Sequence, residues 1–211
     1  IQVVTAWLPK VLKRYPFELK EFSPGGGFAI QYTTDSPAPA ISEYAEAIAG
    51  TLLDRCRAFG LPQPRLVIEP GRAIVGRAGV ALYSVGASKD IPGLRKYVSV
   101  DGGMSDNIRP AIYGARYEAV VTSKLGEGHQ ETVTIAGKFC ESGDILIKDI
   151  SLPVLQPGDV IAVPASGAYC LSMASNYNNS VRPPILLLKG GKARLIRRRQ
   201  SVEELMSLDE G

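Results

Sequence analysis

Leu66-Val-Ile-Glu-Pro-Gly-Arg72 decides how the first third of this chain is read. A continuous apolar run of this kind is typical of a buried parallel strand. The glycine that follows leaves its backbone amide open to an approaching anion. Moving back from it, Gly60-Leu-Pro62 ends a helix whose apolar face is Ile41, Tyr44, Ala45, Ile48, Leu52, Cys56 and Phe59. Before that helix, a strand over Phe17 to Phe22 runs into Ser23-Pro-Gly-Gly-Gly-Phe28. Earlier still, Val3, Val4, Trp7, Leu8, Val11 and Leu12 recur at helical spacing until Pro16. Strand, glycine loop, helix, strand and glycine loop make one βαβ unit. Two glycine loops on consecutive parallel strands suit the phosphate site that α/β barrels build after their last strands. Three glycines in a row are equally the composition of a flexible turn. A whole barrel needs ~250 residues, so residues 1–75 are expected to hold only its last βα units.

Beyond Gly76 the texture changes to short β-rich runs: Val80–Val85, Tyr97–Val100, Arg116–Thr122, Thr132–Ile135, Val160–Val163 and Ile185–Leu188. Helical periodicity returns only at Val202–Leu208. Regular short strands predict a mainly antiparallel barrel or sandwich over residues 76–211. The 211 residues are 45% hydrophobic and 21% charged with a net charge of +3, an ordinary globular composition. The basic run Arg194-Leu-Ile-Arg-Arg-Arg199 has no interleaved aromatics to stack bases, so it reads as a solvated strand edge and no nucleic-acid partner is expected. Three cysteines without a CxxC pair predict neither zinc nor a disulfide framework, and no metal site. The single histidine, His129, lies in a polar turn, so Ser-His-Asp chemistry has no well-placed base within residues 1–211 and would need one from another segment. No apolar run approaches the ~20 residues of a membrane span and no signal pattern opens the chain, so a cytoplasmic location and no membrane partner are expected.

Reactive residue types gather at few places. Arg72 is an isolated cation beside the second glycine loop. Arg109, with Tyr113 four residues on, offers a guanidinium and a phenol that could clamp a carboxylate. Cys140-Glu-Ser-Gly-Asp144 is the densest cluster, where a thiol beside a carboxylate could serve as proton donor or nucleophile, although a single cysteine also reads as a small buried hydrophobe. Cys56 and Cys170, flanked by apolar neighbours, read as core. Tyr169 stands after a strand end, where it either packs in the core or faces a ligand.

In order, Gly25-Gly-Gly27, Glu69-Pro-Gly-Arg72, Asp101-Gly-Gly-Met-Ser-Asp-Asn107 with Arg109-Pro-Ala-Ile-Tyr113, Cys140-Glu-Ser-Gly-Asp144, and Ser166-Gly-Ala-Tyr-Cys170 with Ser175-Asn-Tyr-Asn178 resemble the diaminopimelate decarboxylases. The resemblance runs from about Phe17 to the end of the chain. It implies an alanine-racemase-like α/β barrel followed by a β domain, with pyridoxal 5'-phosphate as cofactor. It implies that Gly25, Gly26, Gly27, Glu69, Pro70, Gly71 and Arg72 hold the cofactor phosphate and that Tyr169 also touches the cofactor. Arg72, Arg109 and Tyr113 would grip the substrate, Glu141 would take its distal ammonium, and Ser142 and Tyr169 would line the same site. Cys140 would return a proton to the α-carbon after carbon dioxide leaves. A homodimer sharing its sites across the interface is also implied. The family's cofactor-binding lysine has no counterpart in residues 1–211 and is expected upstream. Ornithine and arginine decarboxylases share the fold but usually place Asp after the cysteine, where Glu141 stands here. A non-catalytic binding module is the other reading.

Overall fold

Helix α1 (Gln2–Arg14) opens the chain, buries Thr5 and Leu8, and carries Lys13 and Arg14 in its last turn, where cations suit the helix dipole. The computed structural model describes residues 1–210, and the chain divides into two units, Ile1–Gly76 and Arg77–Gly211. In the first unit, β1 (Glu21–Phe22) pairs in parallel with β2 (Arg65–Leu66). Between them, α2 (Ile41–Ala45) runs through a π turn at Glu46–Gly50 into α3 (Thr51–Phe59). Leu52 and Cys56 are the buried residues of α3, and Arg55 reaches Thr5 of α1 at 3.3 Å. Gly60 ends the helix at φ +61°, and Leu61 N–H closes on the Cys56 carbonyl at 2.9 Å, a Schellman-type stop.

Both strands of this unit are shorter than the stretches expected for them. The ladder continues through one bond, Val67 N–H to the Phe22 carbonyl at 3.0 Å. Then Pro24, which has no N–H to give, turns the first strand into its glycine loop. After the second loop comes α4 (Gly71–Val75).

The second unit is built on β3 (Ala81–Ile91), β4 (Arg95–Val100), β5 (Val120–Val121), β6 (Glu131–Ala136), β7 (Ile145–Leu152) and β8 (Val160–Val163). A short helix, α5 (Arg109–Tyr113), lies between β4 and β5. The strand order β5-β8-β3-β4-β6-β7 forms one six-stranded sheet among the described residues. The sheet is mainly antiparallel as expected, but it is one curled mixed sheet where a barrel or sandwich was expected. The β4–β6 pair is parallel, and the other pairs are antiparallel. Thirty residues separate those two strands, long enough to bring the chain back and start β6 in the direction of β4. A register shift in β3 between Val85 and Ser88 splits its pairing, the first half with β8 and the second with β4, and curls the sheet. Val98, Val121, Val133, Ile135, Leu152 and Ile161 are its fully buried apolar residues.

Three further corrections concern individual elements. The strand expected over Arg116–Thr122 pairs only at Val120–Val121. Strand β7 has no counterpart among the expected runs, because Lys148 and Asp149 break its apolar pattern; Asp149 sits at φ +52° and bends the strand. Helix α5 has none either, since five residues show no period. Last come the hairpin β9 (Ile185–Lys189) and β10 (Lys192–Arg197), and α6 (Val202–Leu205). The Gln200 side chain ties the hairpin base, accepting from Arg182 N–H at 3.2 Å and from Asn176 at 2.6 Å. Helix α6 begins with a Ser201–Glu204 capping box.

Candidate functional site

In the first unit the two glycine loops interlock. A Cβ at Gly26 would lie 2.5 Å from the Glu69 carbonyl oxygen, so only glycine fits there. Gly25 and Gly27 adopt φ +82° and +87°, which side chains resist. The Glu69 N–H donates to the Gly25 carbonyl at 3.2 Å, and the Ser23 hydroxyl donates to the Glu69 carboxylate at 3.3 Å. Arg72 is braced rather than isolated: its Nε donates to the Phe28 carbonyl at 3.0 Å and its Nη2 to that of Gly27 at 3.4 Å. Gly26, Gly27 and Gly71 are exposed. Bare backbone beside a fixed guanidinium is a surface that suits a phosphate, so the residues fit a phosphorylated cofactor.

In the second unit a glycine turn is held by two carboxylates. Asp106 accepts from Gly103 N–H at 2.8 Å and from the Tyr83 hydroxyl at 2.5 Å. Asp144 accepts from Met104 N–H at 2.7 Å and Phe139 N–H at 2.9 Å. Side chains at Gly103 or Gly137 would collide with that Asp144 carboxylate. Asp144, only 3% exposed, is thus the frame of the Cys140 turn and not one of its reactive members. Burial pushes both carboxyls above the usual aspartate range, against the pull of their N–H and hydroxyl donors.

On that frame Cys140, Glu141 and Ser142 are all exposed. Glu141 Oε1 accepts from Ser142 Oγ at 3.4 Å and Gly143 N–H at 3.3 Å, while Oε2 accepts from the Tyr177 hydroxyl at 3.3 Å. The segment carrying Tyr177 is docked by Ser175 N–H on the Ser105 carbonyl at 2.8 Å. Tyr177 receives no role from the sequence; its signal is Ser175-Asn-Tyr-Asn178, one of the segments behind the family resemblance.

Arg109 is buried, donates to the Tyr117 hydroxyl at 2.7 Å, and lies 5.8 Å from the Tyr169 ring centroid. Tyr169 stands at φ +63°, a strained setting for a side chain this large, and is 47% exposed. So the structure brings Arg109 to Tyr169. Tyr113, at the far end of α5, is 65% exposed. Cys56 and Cys170 are buried and Cys140 is exposed. His129 is exposed. Among the described residues there is no cluster of His, Cys, Asp or Glu able to hold a metal, and no helix long and apolar enough to cross a membrane.

The family described as "Pyridoxal-dependent decarboxylase, C-terminal sheet domain" matches residues 26–167. The diaminopimelate decarboxylase of Bacillus subtilis is 48% identical over 195 residues, covering 92% of this chain and 44% of that relative. That of Synechocystis is 45% identical over 208 residues, covering 99% and 44%. Among solved structures, diaminopimelate decarboxylase from M. jannaschii in complex with L-lysine matches with a TM-score of 0.90 and 35% identity, over 99% of this chain and 46% of that one. A lysine/ornithine decarboxylase from Vibrio vulnificus, 24% identical with a TM-score of 0.71 over 84% of this chain and 46% of its own, shares the fold. The chain spans less than half the length of the Bacillus subtilis and Synechocystis enzymes. It belongs to the family of pyridoxal-dependent decarboxylases, matching their C-terminal sheet domain.

Proposed function

We propose that this chain carries the C-terminal part of a decarboxylase that converts meso-diaminopimelate to L-lysine. Its first 75 residues then represent the last βα units of the cofactor-binding barrel. The observation that supports this best is the Cys140-Glu141 turn, a thiol and a carboxylate presented to solvent on a rigid, buried frame. The interlocked loops Gly25–Gly27 and Glu69–Gly71 would hold the phosphate of pyridoxal phosphate, with Tyr169 against the same cofactor. When bound, that group supplies an electron sink for the carbanion left by departing carbon dioxide. Cys140 gives its thiol proton to the α-carbon. Arg72, Arg109 and Tyr113 bind the distal carboxylate of the substrate, Glu141 its distal ammonium, and Ser142 lines the same end. The enzyme is a homodimer in which the exposed Cys140–Ser142 turn serves the cofactor of the other subunit.

Carbon dioxide release by the full-length protein, measured with diaminopimelate, ornithine and arginine, tests the reading. Turnover of diaminopimelate alone is expected. Comparable kcat/KM with ornithine or arginine would move the chain to the related decarboxylases, and no turnover of any would leave a binding module. In the same assay Cys140→Ala should lower kcat by ~100-fold or more while KM stays within a few fold, because the proton is needed only after binding. A change confined to KM would make Cys140 a packing or binding residue.

A further inference from the structure

Glu141 is oriented by three neutral donors: the Ser142 hydroxyl, the Gly143 amide and the Tyr177 phenol. The first two are its own neighbours along the chain. The third comes from a segment thirty-six residues away, and that segment is firmly anchored. Asn178 and Asn179 adopt φ +49° and +56°, so the backbone turns sharply just after Tyr177. Asn176 closes the turn by donating to the Ser180 carbonyl at 2.8 Å and to Gln200 at 2.6 Å. The Tyr177 ring stands edge-on to Phe139, with centroids 5.6 Å apart at 74°. Phe139 is in turn fixed by its backbone bond to Asp144. The phenol is therefore held at both ends, by its backbone and by its ring, with its hydroxyl on the outer carboxylate oxygen.

Neutral donors orient a carboxylate without cancelling its charge. A lysine or arginine in the same place would consume the attraction that an incoming cation needs. We infer that Tyr177 is the positioning residue of Glu141, fixing the direction from which that carboxylate meets the distal ammonium of the substrate. This rests on the proposed role of Glu141 as partner of that ammonium. The phenol's own state is consistent with the contact: desolvation first, and then the Glu141 charge, push it above the usual tyrosine range.

Four forms of the full-length enzyme test it: wild type, Tyr177→Phe, Glu141→Gln and the double variant. Tyr177→Phe keeps the ring on Phe139 and removes only the hydroxyl. It should lower kcat/KM for diaminopimelate by ~5- to 10-fold, the loss of one hydrogen bond of ordinary strength, chiefly through KM. Because Tyr177 acts through Glu141, the double variant should be no worse than Glu141→Gln alone. Unchanged kinetics in Tyr177→Phe, or losses that multiply in the double variant, would overturn the inference. If Glu141→Gln itself leaves kinetics unchanged, the reading of Glu141 as the ammonium partner fails instead. The contact is then decided by a titration that needs no turnover. The Tyr177 phenol, followed by carbon-13 NMR, should titrate lower in Glu141→Gln than in wild type, toward the ordinary value of 10.0. An identical midpoint in both forms would show that Tyr177 does not hold Glu141.

Discussion

Asp144 and Cys140 lie four residues apart in one turn and do opposite things. Cys140 is exposed. Asp144 is buried and spends both carboxylate oxygens on backbone N–H groups from two separate segments. In the sequence the two look alike, as members of one reactive cluster, because composition says nothing about which side chain turns inward. Replacing Asp144 with Asn would set an amide N–H₂ against one of those N–H donors, at a cost of about 1–3 kcal/mol. The substitution also has a pH signature. Burial raises the Asp144 carboxyl above the ordinary value of 3.8, so folding favours its protonated form. Its contribution is therefore fully present below that ordinary value and is lost as pH rises through the higher folded value. Asp149 and Asp159 behave in the opposite sense, held down by hydrogen bonds from Arg95 and Lys124, so wild type alone mixes both signs. The difference in unfolding midpoint between wild type and Asp144→Asn cancels Asp149 and Asp159 and leaves Asp144 with the Asp106 carboxyl it pushes up. It should widen in favour of wild type as pH falls from about 7 to about 4. A difference that stays constant over that range would mean that Asp144 titrates alike folded and unfolded.

Among the elements, those with a strong period are legible and those that depend on a partner are not. The helix from Ile41 to Phe59 and its glycine stop can be read, since the apolar face and Gly60 are local signals. Its π turn cannot. Strand β7 escapes because Asp149 bends it at positive φ, and a bent strand loses the period of two. The glycine loops show the limit most clearly. Gly25-Gly-Gly27 announces a loop with an open backbone, but nothing local marks Gly26 as the residue lying on the Glu69 carbonyl. Gly26→Ala should force the two loops apart and weaken pyridoxal phosphate binding to the full-length enzyme by ~10-fold or more, read from cofactor absorbance during titration. Gly50→Ala is the control: its Cβ meets nothing within 4 Å, and at helical φ it should leave binding unchanged. Equal affinity in wild type and Gly26→Ala would remove the loop contact from the cofactor site.

For the whole molecule, the hairpin β9–β10 presents Leu186, Leu187, Leu188, Leu195 and Ile196 to solvent, and a lone two-stranded hairpin is marginal in water. Here the ties from Gln200 at its base hold it. The proposed homodimer shares its sites between subunits. Mixing a full-length variant that lacks the cofactor lysine with Cys140→Ala, under conditions that exchange subunits, should restore about one quarter of wild-type activity. Half of the dimers are then mixed, and each mixed dimer regains one site of two. Activity at the parental background, with exchange verified by mass, would place Cys140 in its own subunit's site. The βαβ unit, the change to β structure near Gly76 and the family resemblance can all be read from the amino-acid order alone, because helix period, glycine spacing and ordered motifs are local along the chain. That β4 and β6 run parallel, that Asp144 is frame and Cys140 is surface, that Arg72 braces a loop, and that Tyr177 meets Glu141 is visible in the folded chain alone. Each of these depends on segments far apart in sequence, and only packing and hydrogen bonds between them settle which side chain is turned toward which.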